Sequence, residues 1–382
     1  MHVTSAPVPP HVLHVTQPVD GGVARVVADL VRRQLAAGMR VSVACPASGA
    51  LPRLLASSGC DVLEWQASRS PGKGLIQEGL RLADVVARTR PDLIHAHSAK
   101  AGLITRLVVR GRVPTVFQPH AWSFEAVRGV NARMALSWER LGARWASRLV
   151  CVSRAEQSTG SSQGIDAEWR LVPNGVDLER FRPAEPRGTA RGGSGDGPLA
   201  VCVGRLCRQK GQDILVEAWK DVLRELPRAR LVLVGDGPET ARLRAAAPRS
   251  VSFVGAVDDP IPWYRAADLV VMPSRWEGIA LAPLEAMACG SPVLVTDVDG
   301  ARESLPPRLA PSCVVPPEDA AALARALIGL LRDTEALRSL GRDAYRHVHA
   351  HHDVRHTAAA VAAVYGELLG PETTEHREPI TT

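Results

Sequence analysis

Short apolar segments alternate with longer amphipathic segments along most of this 382-residue chain, and this alternation constrains the fold more than any other feature. Six segments of the first half are typical of strands: 11–16, 40–45, 92–97, 114–118, 148–153 and 168–173. Helical periodicity between them covers 23–37, 76–90 and 124–147. Strands and helices in this order predict a doubly wound parallel sheet with helices on both faces.

The alternation is interrupted once, at residues 183–198, which are rich in Pro, Gly and Ser and are typical of a linker or loop. Five more strand-like segments follow it: 199–204, 230–235, 251–255, 268–273 and 292–297. We therefore predict an α/β fold with two Rossmann-like domains, at 1–182 and 199–352, followed by a terminal helix at 353–370. The two ends, 1–9 and 371–382, are expected to be disordered.

Charge is distributed unevenly between the two predicted domains. Residues 1–175 contain 21 basic and 12 acidic side chains, a net charge of +9, whereas the remainder carries −3. This asymmetry indicates a different partner for each half. No nucleic-acid-binding motif, secretion signal or apolar run of membrane-spanning length is present, and seven scattered cysteines favour reduced thiols in a cytoplasm over disulfides or zinc.

Glycines and cations follow two of the predicted strands, where ligands of such sheets bind. Gly21 and Gly22 precede the first helix, and this pattern is typical of either a structural turn or an anion site at a helix N-terminus. After the strand at 199–203, Arg205 and Lys210 precede another helix. They are candidates for a diphosphate clamp, with a pair of solvated surface charges as the alternative.

Two carboxylates lie in the segment SRWEGIALAPLEAMACG, at Glu277 and Glu285. We expect Glu277 in a loop and Glu285 on a helix from about 280 to 288. Helical periodicity places Glu285 beside an apolar stripe that contains Leu281 and Leu284, so its carboxylate needs a hydrogen-bonded partner, for which the hydroxyl groups of a ribose are suitable.

With these motifs in order along the chain, the sequence resembles the retaining glycosyltransferases of family 4, which have the two-domain GT-B architecture. The matching motifs are DGG (20–22), HAHSAKAG (95–102), PHAWSF (119–124), VSRAE (152–156), PNGVDLERF (173–181), GRLCRQKG (204–211), VGDGPE (234–239), FVGAV (253–257) and WEGIALAPLEAMACGSPVL (276–294). The resemblance covers about residues 10–370. It implies two domains facing across a cleft and a terminal helix that crosses back to the first domain.

The resemblance also implies roles for the charged residues of the second domain. Arg205 and Lys210 correspond to the pair that neutralises the donor diphosphate, and such enzymes need no metal because these cations supply its electrostatic role. Glu285 is similar to the glutamate that binds the ribose hydroxyls. Glu277 is similar to the one that contacts the donor sugar.

Further donor contacts are implied by the same resemblance. The backbone N–H groups of Leu281 and Ala282 would face the phosphates, and Val254 and Gly255 would contact the base.

In the first domain, Gly22 corresponds to a residue near the phosphate and His120 to the histidine beside the reacting sugar. The implied catalytic set is therefore Glu277, His120, Arg205 and Lys210. Retention would follow from front-face attack by the acceptor hydroxyl, with the departing phosphate oxygen as base.

The activity implied is transfer of a hexose from a UDP- or GDP-sugar to a hydroxyl acceptor in cell-envelope glycolipid or exopolysaccharide synthesis. The partners are then a nucleotide-sugar donor and a lipid-linked acceptor at the cytoplasmic face of the inner membrane, with no nucleic acid and no cofactor. Alternatives are a soluble transferase on a small acceptor, a sugar-nucleotide 2-epimerase on the same architecture, and a noncatalytic partner protein. Glu285, Lys210 and His120, whose loss would signal the last, are all present.

Two departures from the family pattern bear on donor identity. Ala280 stands where the family commonly has glycine and disfavours a positive φ. The segment 297–303 has a single glycine, Gly300, where two are common.

On the acceptor side, segment 124–148 combines five arginines with Trp138 and Trp145, which is typical of either a helix on an anionic membrane or a helix packed on the sheet. A histidine cluster at 347–356 is expected on a surface helix without a nearby carboxylate constellation, and it is not expected to bind a metal.

Overall fold

The computed structural model describes residues 9–68, 72, 74–184 and 197–370. Within these residues the strands form two parallel sheets, one of seven strands and one of six. Mutual contacts divide the described chain into two units. The first unit comprises the residues up to Cys151, Gln157–Val172 and those from Thr357 onward, and the second comprises Val152–Glu156 and Pro173–His356.

The first unit contains the seven-stranded sheet, in the order β3-β2-β1-β4-β5-β6-β7. Its strands are β1 (His11–Thr16), β2 (Arg40–Cys45), β3 (Asp61–Glu64), β4 (Leu93–His97), β5 (Thr115–Gln118), β6 (Arg148–Cys151) and β7 (Trp169–Leu171). The connecting helices are α1 (Gly21–Ala36), α2 (Ala50–Leu55), α3 (Leu75–Thr89), α4 (Ser98–Val109), α5 (Val130–Ala143) and α6 (Arg154–Ser162). The expected parallel sheet is confirmed.

Five elements of the first unit differ from the sequence prediction, and three of them are the helices α2, α4 and α6, which were not predicted. Strand β3 was not predicted, because at this sheet edge its side chains are mostly exposed and give no apolar run. The helix predicted at 124–147 spans only Val130–Ala143. Gly129, at φ 61° and ψ −133°, precedes it, and this conformation is not helical.

The second unit contains the six-stranded sheet, in the order β10-β9-β8-β11-β12-β13. Its strands are β8 (Leu199–Val203), β9 (Arg230–Val234), β10 (Val251–Gly255), β11 (Leu269–Met272), β12 (Val293–Thr296) and β13 (Val314–Val315). Its helices are α7 (Gln212–Glu225), α8 (Thr240–Ala246), α9 (Ile261–Ala266), α10 (Leu281–Ala288), α11 (Ala310–Cys313), α12 (Ala320–Arg332) and α13 (Thr334–His351), with 3-10 turns at Arg208–Lys210 and Pro307–Leu309. The two-residue strand β13 was too short to predict.

The terminal helix α14 (Val354–Leu369) contributes most of its residues to the first unit. Tyr365 is almost fully buried there, with its hydroxyl 2.7 Å from Nδ1 of His95. Glu367 forms ion pairs with Arg148 and Arg170, at 2.9 and 2.7 Å. The first unit is therefore built from segments that are distant in sequence.

The boundary between the two units does not coincide with the linker expected from composition. The long segment of the second unit starts at Pro173, ten residues before the Pro- and Gly-rich segment 183–198, and continues to His356. Most of that segment, and most of the two ends expected to be disordered, lie outside the described residues. Among the helices that are described, none combines the length and the apolar character needed to cross a membrane.

Candidate functional site

In the second unit, the structure brings together two residues predicted to act on different parts of a donor. The ammonium group of Lys210 lies 2.5 Å from Oε1 of Glu277, and the Ser274 hydroxyl donates to the same oxygen at 2.8 Å. Glu277 is 8% exposed, and the Lys210 side chain is 23% exposed. The Lys210 ammonium group is therefore held against a carboxylate.

Local backbone geometry explains how this pair forms. Lys210 ends the 3-10 turn, and the next residue, Gly211, has φ 64°. A Cβ at Gly211 would lie 1.9 Å from the carbonyl oxygen of Pro273, so only glycine allows this turn to contact the segment after β11 so closely. The amide of Gln209 also donates to the Trp276 carbonyl at 3.1 Å, which fixes the loop that carries Glu277.

Arg205, the second predicted diphosphate ligand, is exposed. Its backbone carbonyl accepts a hydrogen bond at 3.1 Å from Gln212, a buried residue at the start of α7. Arg205 is thus anchored through its backbone carbonyl, and its exposed side chain is accessible to an anion.

Glu285 lies on α10, a helix whose residues are buried on nearly every side. Its Oε2 accepts a hydrogen bond at 2.8 Å from the hydroxyl of Tyr264 on α9, and both residues are buried. Sequence periodicity indicated that this carboxylate required a partner, but it did not identify the tyrosine. The hydroxyl of Ser291 donates to the Tyr264 carbonyl at 2.5 Å and helps to position that ring.

Glycines end the three adjacent strands β8, β9 and β10. A Cβ at Gly235 would lie 2.0 Å from the carbonyl oxygen of Gly204, and the Gly235 amide donates to the carbonyl of Gly255 at 2.8 Å. Gly255 has φ 87° with open space beside it, and neighbouring Val254 is 37% exposed. This edge therefore presents backbone and one apolar side chain, as a site for a planar base requires.

The first turn of α10 offers backbone donors. Ala280 precedes the helix with φ −72° and ψ 139°, so the positive φ that alanine disfavours is not needed here. Within the described part of the chain, no hydrogen-bond acceptor contacts the N–H groups of Leu281 and Ala282, as is normal for the first residues of a helix. These groups and the helix dipole favour an anion.

Gly300 is the single glycine of segment 297–303, where the family commonly has two, and it closely approaches the backbone of Gly278. It has φ 77°, and a Cβ there would lie 2.6 Å from the carbonyl oxygen of Gly278. On the other side of the same loop, the amide of Asn174 donates to the Ile279 carbonyl at 2.7 Å. The loop that carries Glu277, here called the glutamate loop, is therefore held by the backbone of Gly300 and by the side chain of Asn174.

The first unit contains the predicted residues Gly22 and His120. Gly22 is exposed in the first turn of α1, next to Gly21 at φ 76°. His120 has φ 58°, and Ala121 has φ 123°. Positive φ at two consecutive non-glycine residues is strained and is concentrated at functional sites in proteins.

Sequence analysis did not identify a group of buried histidines behind His120. Nε2 of His120 lies 3.0 Å from Nδ1 of His97, and Nε2 of His97 lies 2.9 Å from Nδ1 of His14. His14, His95 and His97 are fully buried. Burial lowers the pKa of His14 to about 4 and that of His120 to about 3, so both rings are neutral at pH 7. Histidines inside the apolar segments HVLHVT and DLIHAH were the available signal.

Helix α5 has an exposed apolar surface, but its tryptophans do not form it. Trp138 and Trp145 are half-buried, with ring centroids 6.1 Å apart. The exposed large apolar side chains on this helix and just before it are those of Val127, Val130, Met134 and Leu141, of which Val130 and Met134 are 61% and 65% exposed. Arginines 128, 133, 140 and 144 are exposed nearby in sequence. The tryptophan–arginine surface considered from sequence is therefore an aliphatic–arginine surface.

Comparisons with known proteins give two matching family models. One, described as Glycosyltransferase Family 4, matches residues 20–180, and the other, described as Glycosyl transferases group 1, matches residues 197–333. The chain is 32% identical to D-inositol 3-phosphate glycosyltransferase of Streptomyces bingchenggensis, over 91% of this chain and 85% of that protein.

A second relative acts on a lipid-linked acceptor. The chain is 29% identical to UDP-Gal:alpha-D-GlcNAc-diphosphoundecaprenol alpha-1,3-galactosyltransferase of Escherichia coli. That alignment covers 58% of this chain and 62% of the enzyme, so it spans less than two thirds of the enzyme's length.

Among solved structures, Anabaena HepE in complex with UDP-glucose superimposes with a TM-score of 0.79. The match covers 94% of this chain and 100% of that chain at 22% identity. At this identity the similarity shows a shared fold, and the GT-B fold expected from the sequence is confirmed.

Proposed function

This chain belongs to glycosyltransferase family 4, and on that premise we propose that it transfers a hexose from a nucleoside-diphosphate sugar to a hydroxyl acceptor with retention of configuration. The observation that carries the proposal is the Lys210–Glu277 ion pair together with the exposed Arg205, all in segments that follow strands of the second sheet. The named relatives are transferases, and none of these comparisons favours the epimerase alternative.

In the proposed mechanism the two cations bind the donor diphosphate and stabilise the charge that develops on it as the glycosidic bond breaks. Arg205 and Lys210 supply this charge from side chains, so no metal ion is required. The N–H groups of Leu281 and Ala282 add donors at the phosphates. The departing phosphate oxygen takes the proton of the attacking acceptor hydroxyl.

Carboxylates bind the hydroxyl groups of the donor. We assign Glu285 to the ribose, with the Tyr264 hydroxyl donating to its Oε2 and holding the carboxylate in position. Glu277 releases Lys210 to the diphosphate and accepts from the transferred sugar. Val254 and Gly255 contact the base, Gly22 lies near the phosphate, and His120 contacts the sugar.

A panel of UDP-, GDP-, ADP- and dTDP-sugars in a thermal-shift assay tests the donor assignment. A ligand that binds only the native state stabilises it by mass action, by about 2.7 kcal/mol at a ligand concentration of 100 times Kd. The melting temperature rises as a result. We expect a shift with a UDP- or GDP-sugar, and a smaller one for Glu285→Ala. If no sugar nucleotide raises the melting temperature of the wild type, the donor assignment is wrong.

Retention is tested separately by proton NMR of the first product formed. The anomeric coupling constant distinguishes the two configurations directly. A product of inverted configuration would contradict the proposed front-face mechanism while leaving the transferase activity in place.

We propose a lipid-linked acceptor at the cytoplasmic face of the membrane. Support comes from the +9 charge of residues 1–175, the exposed apolar and basic surface around α5, and the undecaprenyl-linked substrate named for the E. coli relative. Cosedimentation with vesicles containing anionic lipid is the test. Met134→Ser and Arg133→Glu should each reduce binding, and equal binding of wild type to neutral vesicles would contradict the electrostatic part.

A small soluble acceptor is the second candidate, favoured by the 91% coverage in the alignment with D-inositol 3-phosphate glycosyltransferase. Turnover with inositol phosphate in the absence of any lipid would support this candidate and overturn the lipid-linked one.

A further inference from the structure

A continuous hydrogen-bonded chain runs through the first sheet from α1 to His120. We call the residues Gln34, His14, His97 and His120 the histidine relay. Oε1 of Gln34 lies 2.8 Å from Nε2 of His14, and the two histidine contacts that follow are 2.9 and 3.0 Å. The rings of His14 and His97, and those of His97 and His120, are stacked with centroids 5.2 and 5.3 Å apart.

The amide of Gln34 determines the direction of every hydrogen bond in the relay. Its carbonyl oxygen can only accept, so Nε2 of His14 carries the ring proton and donates it. A neutral imidazole has one N–H, and Nδ1 of His14 is therefore the acceptor for Nε2–H of His97. The same reasoning makes Nδ1 of His97 the acceptor for Nε2–H of His120.

This direction takes the Gln34 amide in the orientation that the structure gives it, with Oε1 toward His14 and Nε2 3.4 Å from the hydroxyl oxygen of Tyr365. The Tyr365 hydroxyl lies 2.7 Å from Nδ1 of His95. In this orientation Tyr365 accepts from Gln34 and keeps its own proton for Nδ1 of His95, and all of these groups are buried.

We propose that the histidine relay is a positioning device that holds His120 as a single tautomer, with Nδ1 unprotonated and available to accept a hydrogen bond from a substrate hydroxyl. Within the described residues Nδ1 of His120 has no hydrogen-bond partner, and the residue is half-buried whereas His14 and His97 are fully buried. Because His120 is assigned to the sugar only by the proposed function, the role of Nδ1 toward substrate rests on that function. The tautomer itself does not.

Backbone conformation agrees with a constrained ring. His120 and Ala121 have positive φ, and so does Ser98, at 70°, directly after His97. Such conformations are unfavourable for residues other than glycine and persist only where the surrounding structure enforces them. His120 therefore lies in backbone held in an unfavourable conformation, and His97 directly precedes such a residue.

A metal site is the competing use of these side chains. His14, His95 and His97 each offer one ring nitrogen within 4.8 Å of the others. A metal ion there would take a lone pair from His97, both of whose nitrogens serve the relay. Stoichiometric zinc, copper or nickel in the purified protein, lost on His95→Ala, would overturn the proposal.

NMR of protein labelled with ¹⁵N-histidine tests the tautomer without any substrate. We expect the His120 ring, identified by its loss in His120→Asn, to show a protonated Nε2 and an unprotonated Nδ1 that do not exchange. The opposite tautomer, or a mixture of the two, would contradict the proposed direction.

Substitutions at His97 separate hydrogen bonding from packing. An asparagine or glutamine can donate on one side and accept on the other, as the imidazole does, whereas leucine can do neither. With one hydrogen bond to the transferred sugar weakened, we expect kcat/KM to fall about tenfold in His97→Leu, and to recover at least partly in His97→Asn or His97→Gln. The Kd of the free nucleoside diphosphate should stay unchanged, because neither His97 nor His120 is among its predicted ligands.

Gln34→Leu tests the far end of the relay, two rings away from His120, in case His97→Leu does not fold. It should produce mixed His120 tautomers and the same selective loss of kcat/KM. The matched control is His11→Asn, on the same strand as His14, where the native ring contacts Ser42 and the Thr89 carbonyl instead. It should leave the His120 spectrum unchanged.

The outcomes distinguish the relay from the proposed function. Wild-type protein that binds no sugar nucleotide but shows the single His120 tautomer would contradict the function alone. Active wild type with unchanged tautomer and unchanged kcat/KM in both Gln34→Leu and His97→Leu would contradict the relay alone.

Discussion

Glu277→Gln is expected to change nucleotide affinity and turnover in opposite directions. Oε1 of Glu277 lies 2.5 Å from the Lys210 ammonium, so a diphosphate must compete with this carboxylate for the cation. The amide variant has the same shape without the charge. It should bind free nucleoside diphosphate more tightly than wild type while transferring sugar more slowly.

The size of the gain in affinity follows from distance and exposure. Two unit charges about 4 Å apart interact by roughly 4 kcal/mol at an effective dielectric constant of 20, and exposed pairs contribute only about 0–1 kcal/mol. With side chains 23% and 10% exposed, this pair lies between those limits. An intermediate value of about 1–2 kcal/mol corresponds to roughly 5- to 30-fold tighter binding of UDP or GDP.

Isothermal titration calorimetry measures the affinity, and a coupled assay for released nucleoside diphosphate measures kcat/KM. Lys210→Gln and the double variant complete a mutant cycle. If Glu277 acts on the nucleotide only through Lys210, the double variant binds as weakly as Lys210→Gln alone. Equal weakening of nucleotide binding and turnover by Glu277→Gln would refute the competition described here.

Three further predictions concern two ion pairs of the first unit and one backbone contact of the glutamate loop. Glu139→Gln leaves the fully buried Arg106 guanidinium without its counter-charge and should cost about 3–5 kcal/mol by chemical denaturation, whereas Arg106→Met combined with Glu139→Leu should recover most of that loss; a cost below about 1 kcal/mol for the single variant would contradict this. Gly300→Ala forces a Cβ against the Gly278 carbonyl at positive φ and should lower the melting temperature by several degrees, and an unchanged value would show that the loop adapts. Hydrogen bonds from two arginines lower the pKa of Glu367 from 4.5 to about 2, so its stabilisation of α14 is complete above pH 4.5 and is lost as the pH falls toward 2; hydrogen exchange of α14 should show this dependence in wild type and lose it in Glu367→Gln, and an equal dependence in both would contradict the assignment.

The fold could be predicted because parallel strands are marked by contiguous apolar runs, and most strand positions agree within one or two residues. The two strands that were not predicted share a physical cause. Strand β3 is exposed at a sheet edge and β13 has two residues, so neither produces an apolar run. Side-chain partners could not be predicted by the same route, because periodicity specifies a face of an element and not its neighbour.

The candidate site shows the same division. The need of Glu285 for a partner was predictable from its position on an apolar helix, but the choice of Tyr264 depends on how α9 and α10 pack. The contact of Lys210 with Glu277 depends on the positive φ of Gly211. Roles of both glutamates toward a donor stay predictions until a ligand is bound.

The histidine relay depends on strand register. His14 is the register partner of His95 across β1 and β4, and His97 is the partner of Gln118, two residues before His120. Once the order β1-β4-β5 is known, these histidines are neighbours. This order is the usual one for a Rossmann-like sheet, so it was implicit in the predicted fold, but the register that aligns these histidines was not.

The position of α14 has a consequence for how the protein is made. Tyr365 and Glu367 belong to the first unit, yet they are synthesised after nearly all of the second. At 5–20 residues per second, the ribosome needs roughly 10–40 s to pass from the end of Gln157–Val172 to Thr357. During that interval the nascent first unit lacks the tyrosine that contacts Gln34 and His95. The core of the first unit is completed only when α14 has been synthesised. Until then, a chaperone that recognises exposed apolar surface can bind there.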